Sequence, residues 1–148
     1  MTAVGPAVKL SVSAAMCAPA GAEEGSFQHC GVAFTRVWLQ GVVVAATESP
    51  AFAVLVLDDG SGVMQLRFAK EVRGGLKLLV GERPLLGLHL LVTGKLSGSG
   101  GLRCLRVHNV NDLSAQPDRE SLWNLELVEL WRDTYRLVPP QPSTQASS

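Results

Sequence analysis

Aromatic residues are scarce in this chain. Phe, Trp and Tyr together make up 5% of its 148 residues, which leaves few platforms on which bases could stack. An excess of charge is also lacking, because 13 Lys and Arg balance 13 Asp and Glu. This excludes a protein that holds nucleic acid by bulk positive charge alone. No apolar run nears the roughly 18 residues of a membrane span. The longest candidate, Leu85 to Val92, is interrupted by Gly87 and His89. Cysteine is limited to Cys17, Cys30 and Cys104, an odd number with no CxxC pair. That argues against a disulfide framework and a zinc site, and it points to a reducing compartment, cytosol or nucleus.

The first 25 residues lack the basic start of a secretory signal, and Pro6 and Lys9 interrupt any apolar stretch. No Arg precedes Arg36, which argues against a mitochondrial transit peptide. Residues 1–33 are therefore expected to form a disordered tail. Residues 136–148, rich in Pro, Ser and Gln, are expected to form a second one.

Between the tails, at residues 34–135, the pattern is that of one domain. Hydrophobic residues make up 47% of the chain, ordinary for a globular protein. Val37 to Ala46 is rich in β-branched residues and has Gly41 inside it, a sign of a bulge or sharp coil. Ala51 to Leu57 is a second apolar run, ended by the hairpin signal Asp58-Asp59-Gly60-Ser61-Gly62. Next, Met64, Leu66 and Phe68 alternate with Val63, Gln65 and Arg67, which gives a strand with one apolar face. Gly74, Gly75 and Gly81 break any helix in the connection that follows, where a short strand is expected around Leu76 to Val80. Leu85 to Leu96 and Leu102 to Val110 are the fourth and fifth strands. Five short strands with a long third connection fit a closed barrel of the OB type, all-β apart from a C-terminal helix.

That helix is expected over about residues 117–135, behind Pro117 and with Asp118 and Glu120 in its first turn. Trp123, Leu127, Leu130 and Trp131 form one apolar row, and Leu122, Leu125 and Val128 form another. At 100° per residue the two rows cover well over half the circumference. One barrel cannot cover both, so the second row or the two tryptophans should meet another surface. Trp123 is the expected anchor, with Leu122, Leu125, Leu127, Leu130 and Trp131 around it and Trp38 in support.

Catalytic patterns are missing. No HExxH, GxSxG or Cys-His constellation occurs, and Gly94-Lys95 is followed by Leu96, so it does not end a P-loop. Asp58 and Asp59 read as turn formers. The pattern predicts neither an enzyme nor a cofactor. The alternative function is single-strand binding, which needs aromatic platforms and a basic groove. Arg67, Lys70, Arg73, Arg103 and Arg106 are its candidate contacts, with Phe52 the aromatic left over once Phe68 is assigned to the core.

Val37-Trp38-Leu39-Gln40-Gly41 resembles the opening barrel strand of the RecQ-mediated genome instability protein 2 family. Asp112-Leu113-Ser114, Pro117, Glu120-Ser121-Leu122-Trp123, Leu125-Glu126, Leu130 and Arg132 resemble that family's C-terminal signature. Asp58-Asp59-Gly60-Ser61-Gly62 is similar to its turn between the second and third strands. The resemblance implies an OB-fold subunit without enzymatic activity. It implies binding to the C-terminal OB fold of the larger RecQ-mediated genome instability protein, beside a Bloom-type RecQ helicase and topoisomerase III alpha. The assembly so implied dissolves double Holliday junctions without crossover, in the nucleus, with weak or indirect contact to DNA. Its architecture is similar to that of the OB subunits of replication protein A. The chain departs from the family pattern at Val128 and Trp131, where polar residues are expected.

Overall fold

Val63 to Phe68 buries Met64, Leu66 and Phe68 and exposes Val63, Gln65 and Arg67, as its alternation requires. The computed structural model describes residues 7–49, 52–69, 72, 75–77, 83–98, 102–115 and 118–130. In chain order its elements are β1 (Val8–Lys9), α1 (Val12–Cys17), β2 (Phe27–His29), β3 (Val32–Phe34), β4 (Arg36–Glu48), β5 (Ala53–Asp58), β6 (Val63–Phe68), β7 (His89–Ser97), β8 (Cys104–Asp112) and α2 (Arg119–Leu130). Strands run in the order β4-β5-β6-β8-β7, and β7 pairs back onto β4. This is the five-stranded barrel with a C-terminal helix that the sequence predicts. All its neighbouring pairs are antiparallel except β6 with β8.

The first barrel strand is shared by two neighbours. Its first half pairs with β7 and its second half with β5, and Val42 faces partners on both. Gly41 sits at that crossing, where an added Cβ would lie 2.7 Å from the Asp58 carbonyl oxygen. Only a bare backbone permits this approach. The register irregularity itself falls between Val43 and Ala45. Leu39, Leu55, Leu57, Leu66, Leu90, Val92, Leu96 and Leu105 fill the interior.

The expected N-terminal tail is, from Val8 onward, part of the fold. Val8 and Lys9 pair in parallel with Val37 and Trp38. Leu10, Val12 and Ala15 are buried in the barrel's core cluster. A six-residue helix has little stability of its own, and α1 is held at both ends by side chains. At its start, Ser11 Oγ accepts from the Ala14 N–H (3.1 Å), Asp59 Oδ2 from Val12 (2.8 Å) and Ser61 Oγ from Ser13 (3.0 Å). At its end, Arg103 Nη1 lies 3.2, 3.0 and 2.6 Å from the carbonyls of Ala15, Met16 and Ala18. The small hairpin β2–β3 stacks Phe27 on Phe34 and turns through Cys30 and Gly31, both at positive φ. The connection after β6 also differs from expectation. Val72 and Gly75–Lys77 are helical, with Leu76 buried in the core. That burial outweighs the helix penalty of Gly75. Residues 78–80 of the expected strand lie outside the described residues.

Candidate functional site

Helix α2 has a buried side and an exposed side, and the split follows the two apolar rows. Trp123 is only 5% exposed. It walls a hollow of about 270 Å³ with Gln40, Gly41, Val42, Asp58 and His89. Lys9 lies over the indole at 5.6 Å and also pairs with Glu126. Leu127 and Leu130 are partly covered, and Leu130 packs against the core. Leu122, Leu125 and Val128 are 49%, 59% and 57% exposed. Trp123 is therefore seated against the chain's own barrel, on the side of α2 away from the exposed row. Burying an indole removes a large surface from water, and here the wall it meets is the chain's own barrel. Its Nε1 has no hydrogen-bond partner among the described residues. Trp131 lies outside them.

Trp38 is half-buried on the outer side of β4, because Val37 and Leu39 point inward. Gln40, two residues on and on the same face, lines the hollow beside Trp123 and meets His89 Nε2 at 3.0 Å. The helix begins after a tight junction. Asp112 accepts from the Ser114 backbone N–H at 2.9 Å and pairs with Arg83, while Ser114 Oγ accepts from the His89 N–H at 3.0 Å. Burial alone would raise the Asp112 carboxyl. The Ser114 hydrogen bonds and the Arg83 charge outweigh it and hold the carboxyl below its usual range. Burial lowers His29.

The basic candidates do not act as one set. Arg67 and Arg106 are exposed and face each other across β6 and β8. They line an open groove of about 840 Å³ with Phe52, Lys95 and His108. Arg103 is 8% exposed and is committed to the end of α1, with its guanidinium 4.6 Å from the centre of the Phe27 ring. It serves the fold as a structural cation. Three of its four carbonyl partners come from a segment expected to be a tail, so only the fold could reveal this role. Lys70 and Arg73 lie outside the described residues. Lys9 is not among the expected site residues, and it stands out only once strand pairing is known. Among the described residues, no helix is long and apolar enough to cross a membrane.

Residues 8–131 match the model of the family described as RecQ-mediated genome instability protein 2. Relatives of that description include one from Bos taurus, 36% identical over 101 residues, covering 68% of this chain and 59% of the relative. One from Gallus gallus is 30% identical over 105 residues, covering 70% of this chain and 68% of the relative. The match to the relative from Mus musculus, 34% identical over 97 residues and 66% of this chain, likewise spans 59% of that relative's length. A chain of the S. pombe Stn1–Ten1 complex superposes with a TM-score of 0.77 at 15% identity, covering 90% of this chain and 97% of that one. A chain of a replication protein A heterotrimer bound to ssDNA gives 0.69 at 14% identity, covering 84% and 94%. At such identities these two speak for the fold alone, an OB barrel. The family match spans the N-terminal arm, the barrel and α2, and the chain belongs to the RecQ-mediated genome instability protein 2 family.

Proposed function

We propose that this chain is a non-catalytic OB-fold subunit that binds the larger RecQ-mediated genome instability protein through the outer row of α2. The observation that carries this reading is the exposure of Leu122, Leu125 and Val128 along one helix face whose opposite side is already seated. Full burial of such a side chain is worth about 1.5–3 kcal/mol, so covering the exposed half of each yields roughly 1 kcal/mol apiece. Half-buried Trp38, on the outer face of β4, is the barrel's contribution in this reading. The non-catalytic reading draws support from the work the polar side chains already do. Asp58 and Asp59 accept hydrogen bonds that fix the β5–β6 turn, His89 meets Gln40, and Arg103 holds α1.

Family membership supports the rest of the reading. The pair stabilises a complex of a Bloom-type RecQ helicase with topoisomerase III alpha, which dissolves double Holliday junctions and limits crossover during recombination and repair in the nucleus. The test is co-expression with the larger subunit. Leu125→Glu is expected to abolish co-purification while leaving the sheet signal in circular dichroism unchanged. Undiminished co-purification of a folded Leu125→Glu variant would overturn the proposal.

A further inference from the structure

The hollow beside Trp123 is walled by carboxylates and amides with no cation to meet them. Asp58, Asp59, Gln40, Asn124 and the Trp123 indole line it, and no Lys or Arg does. Asp59 is fully engaged, because its two oxygens accept from Ser61 and Val12. Asp58 is not. Its Oδ1 accepts from the Gly60 N–H at 2.8 Å, and its other oxygen has no hydrogen-bond or ion-pair partner among the described residues. Gln40 is in the same position. It is 3% exposed, and its amide nitrogen donates to His89 Nε2 at 3.0 Å. An imidazole that accepts at Nε2 carries no positive charge. The Gln40 amide oxygen is left without a partner among the described residues and is not sealed from solvent, so it opens to the hollow that Gln40 lines. Acceptors left unpaired in a partly enclosed wall are costly to the fold.

The hollow adjoins the helix row assigned to the partner. At 100° per residue Asn124 falls between the seated Trp123 and the outer-row Val128. Val44, 49% exposed, forms another part of the wall. A chain laid along Leu122, Leu125 and Val128 therefore passes the mouth of the hollow. Its volume of about 270 Å³ is below the range of cavities that take a drug-sized ligand, and it suits a single side chain.

We propose that the hollow receives an arginine side chain of the partner that covers α2, with the guanidinium on Asp58 and the Gln40 amide oxygen. This assignment rests on the reading of α2 given above. The planar fork of N–H donors reaches acceptors on different walls at once, sheds water more readily than an ammonium and stacks on an indole. A divalent cation fits poorly. Calcium takes about six to eight oxygens, whereas Asp58 supplies the one unengaged carboxylate oxygen of the lining pair.

The test is calorimetric titration of the full chain with the larger subunit, beside Leu125→Glu. Asp58→Asn keeps the acceptor for Gly60 and removes the charge, and it should weaken binding about tenfold or more. Asn124 is exposed on the rim, so Asn124→Asp should tighten binding several-fold and Asn124→Lys should weaken it. Glu23→Gln, on the loop lining a separate hollow with Lys95 and Arg106, should change nothing. At saturating concentrations phenylglyoxal, which modifies accessible guanidinium groups, should spare one arginine of the larger subunit in the parent complex and label it in the Asp58→Asn complex. If Leu125→Glu abolishes binding while folded Asp58→Asn and Asn124→Asp variants bind like the parent, this inference is overturned and the reading of α2 stands. Binding that survives Leu125→Glu overturns both. Tightening by Asn124→Lys overturns the inference in favour of an acidic occupant, and equal weakening by Glu23→Gln overturns it in favour of diffuse attraction.

Discussion

Lys9 and Glu126 form an ion pair across 117 positions of sequence, and it ties the N-terminal arm to the last described helix. The same ammonium lies over the Trp123 ring, so one cation contacts two side chains of α2. Because both partners of the pair are more than a third exposed, it is worth at most ~1 kcal/mol. Lys9→Ala should therefore leave global stability almost unchanged. It should speed amide hydrogen exchange in α2 relative to the barrel, and added salt should do the same to the parent protein. Unaltered exchange in α2 would show that apolar seating alone holds the helix.

Arg103 is the opposite case. Its guanidinium is buried among four carbonyls, from Gly98, Ala15, Met16 and Ala18. Hydrogen bonds to a charged group contribute about 1.5–3 kcal/mol each and do not add simply. Arg103→Ala should cost at least ~3 kcal/mol, which in a domain of this size lowers the melting temperature by roughly 6–12 °C. Arg103→Lys should recover little, because an ammonium lacks the fork that reaches both α1 and Gly98. Thermal melts of the two variants beside Arg106→Gln would separate the structural cation from the exposed one.

Trp123 carries both the apolar seat of α2 and a buried N–H without a partner among the described residues. Trp123→Ala should lose about 3–5 kcal/mol through the cavity it leaves, and α2 should detach. Trp123→Phe keeps most of the apolar contact and deletes the orphan donor, so it should cost less than ~1.5 kcal/mol. Loss of partner binding in Trp123→Ala would thus report an unseated helix and not a missing contact. Denaturant melts that rank the two variants equally would contradict this account of the site.

Asp112 sets a lower pH limit on the junction before α2. Its carboxyl titrates below its usual range, so the native state holds it ionised where the unfolded chain has begun to bind a proton. Stability from this group is complete above about pH 4 and is lost as the pH falls through the lowered native value. Asp112→Asn should flatten that part of a stability profile measured from pH 6 to pH 2. A profile with the same acid limb in the variant would assign the loss to other carboxylates.

The barrel was legible because its strands are patterned locally. Met64, Leu66 and Phe68 show the period, and Asp59-Gly60 marks the turn. The two rows of α2 were legible from spacing alone, but not which of them the barrel would take. By spacing alone Trp123 and Leu122 have equal claim to another surface, and only the wall formed by Gln40, Gly41 and His89 separates them. The N-terminal arm was illegible for a different reason. Val12 to Cys17 has only Ser11 to mark a helix. Its remaining supports, Asp59, Ser61 and Arg103, come from positions 47 to 88 residues away. Arg67 and Arg106 were legible as basic candidates, but that they face each other, with Lys95 beside Arg106, comes only through strand register.

The outer row of α2 is tested most directly by calorimetric titration of the larger subunit into the full chain. Burial of Leu122, Leu125 and Val128 predicts binding with a negative heat-capacity change. Leu125→Ala should weaken it by about fivefold, the equivalent of ~1 kcal/mol, and Leu125→Glu should abolish it. Unchanged affinity in a folded Leu125→Glu protein would contradict the claim that this chain works through the exposed face of its last helix.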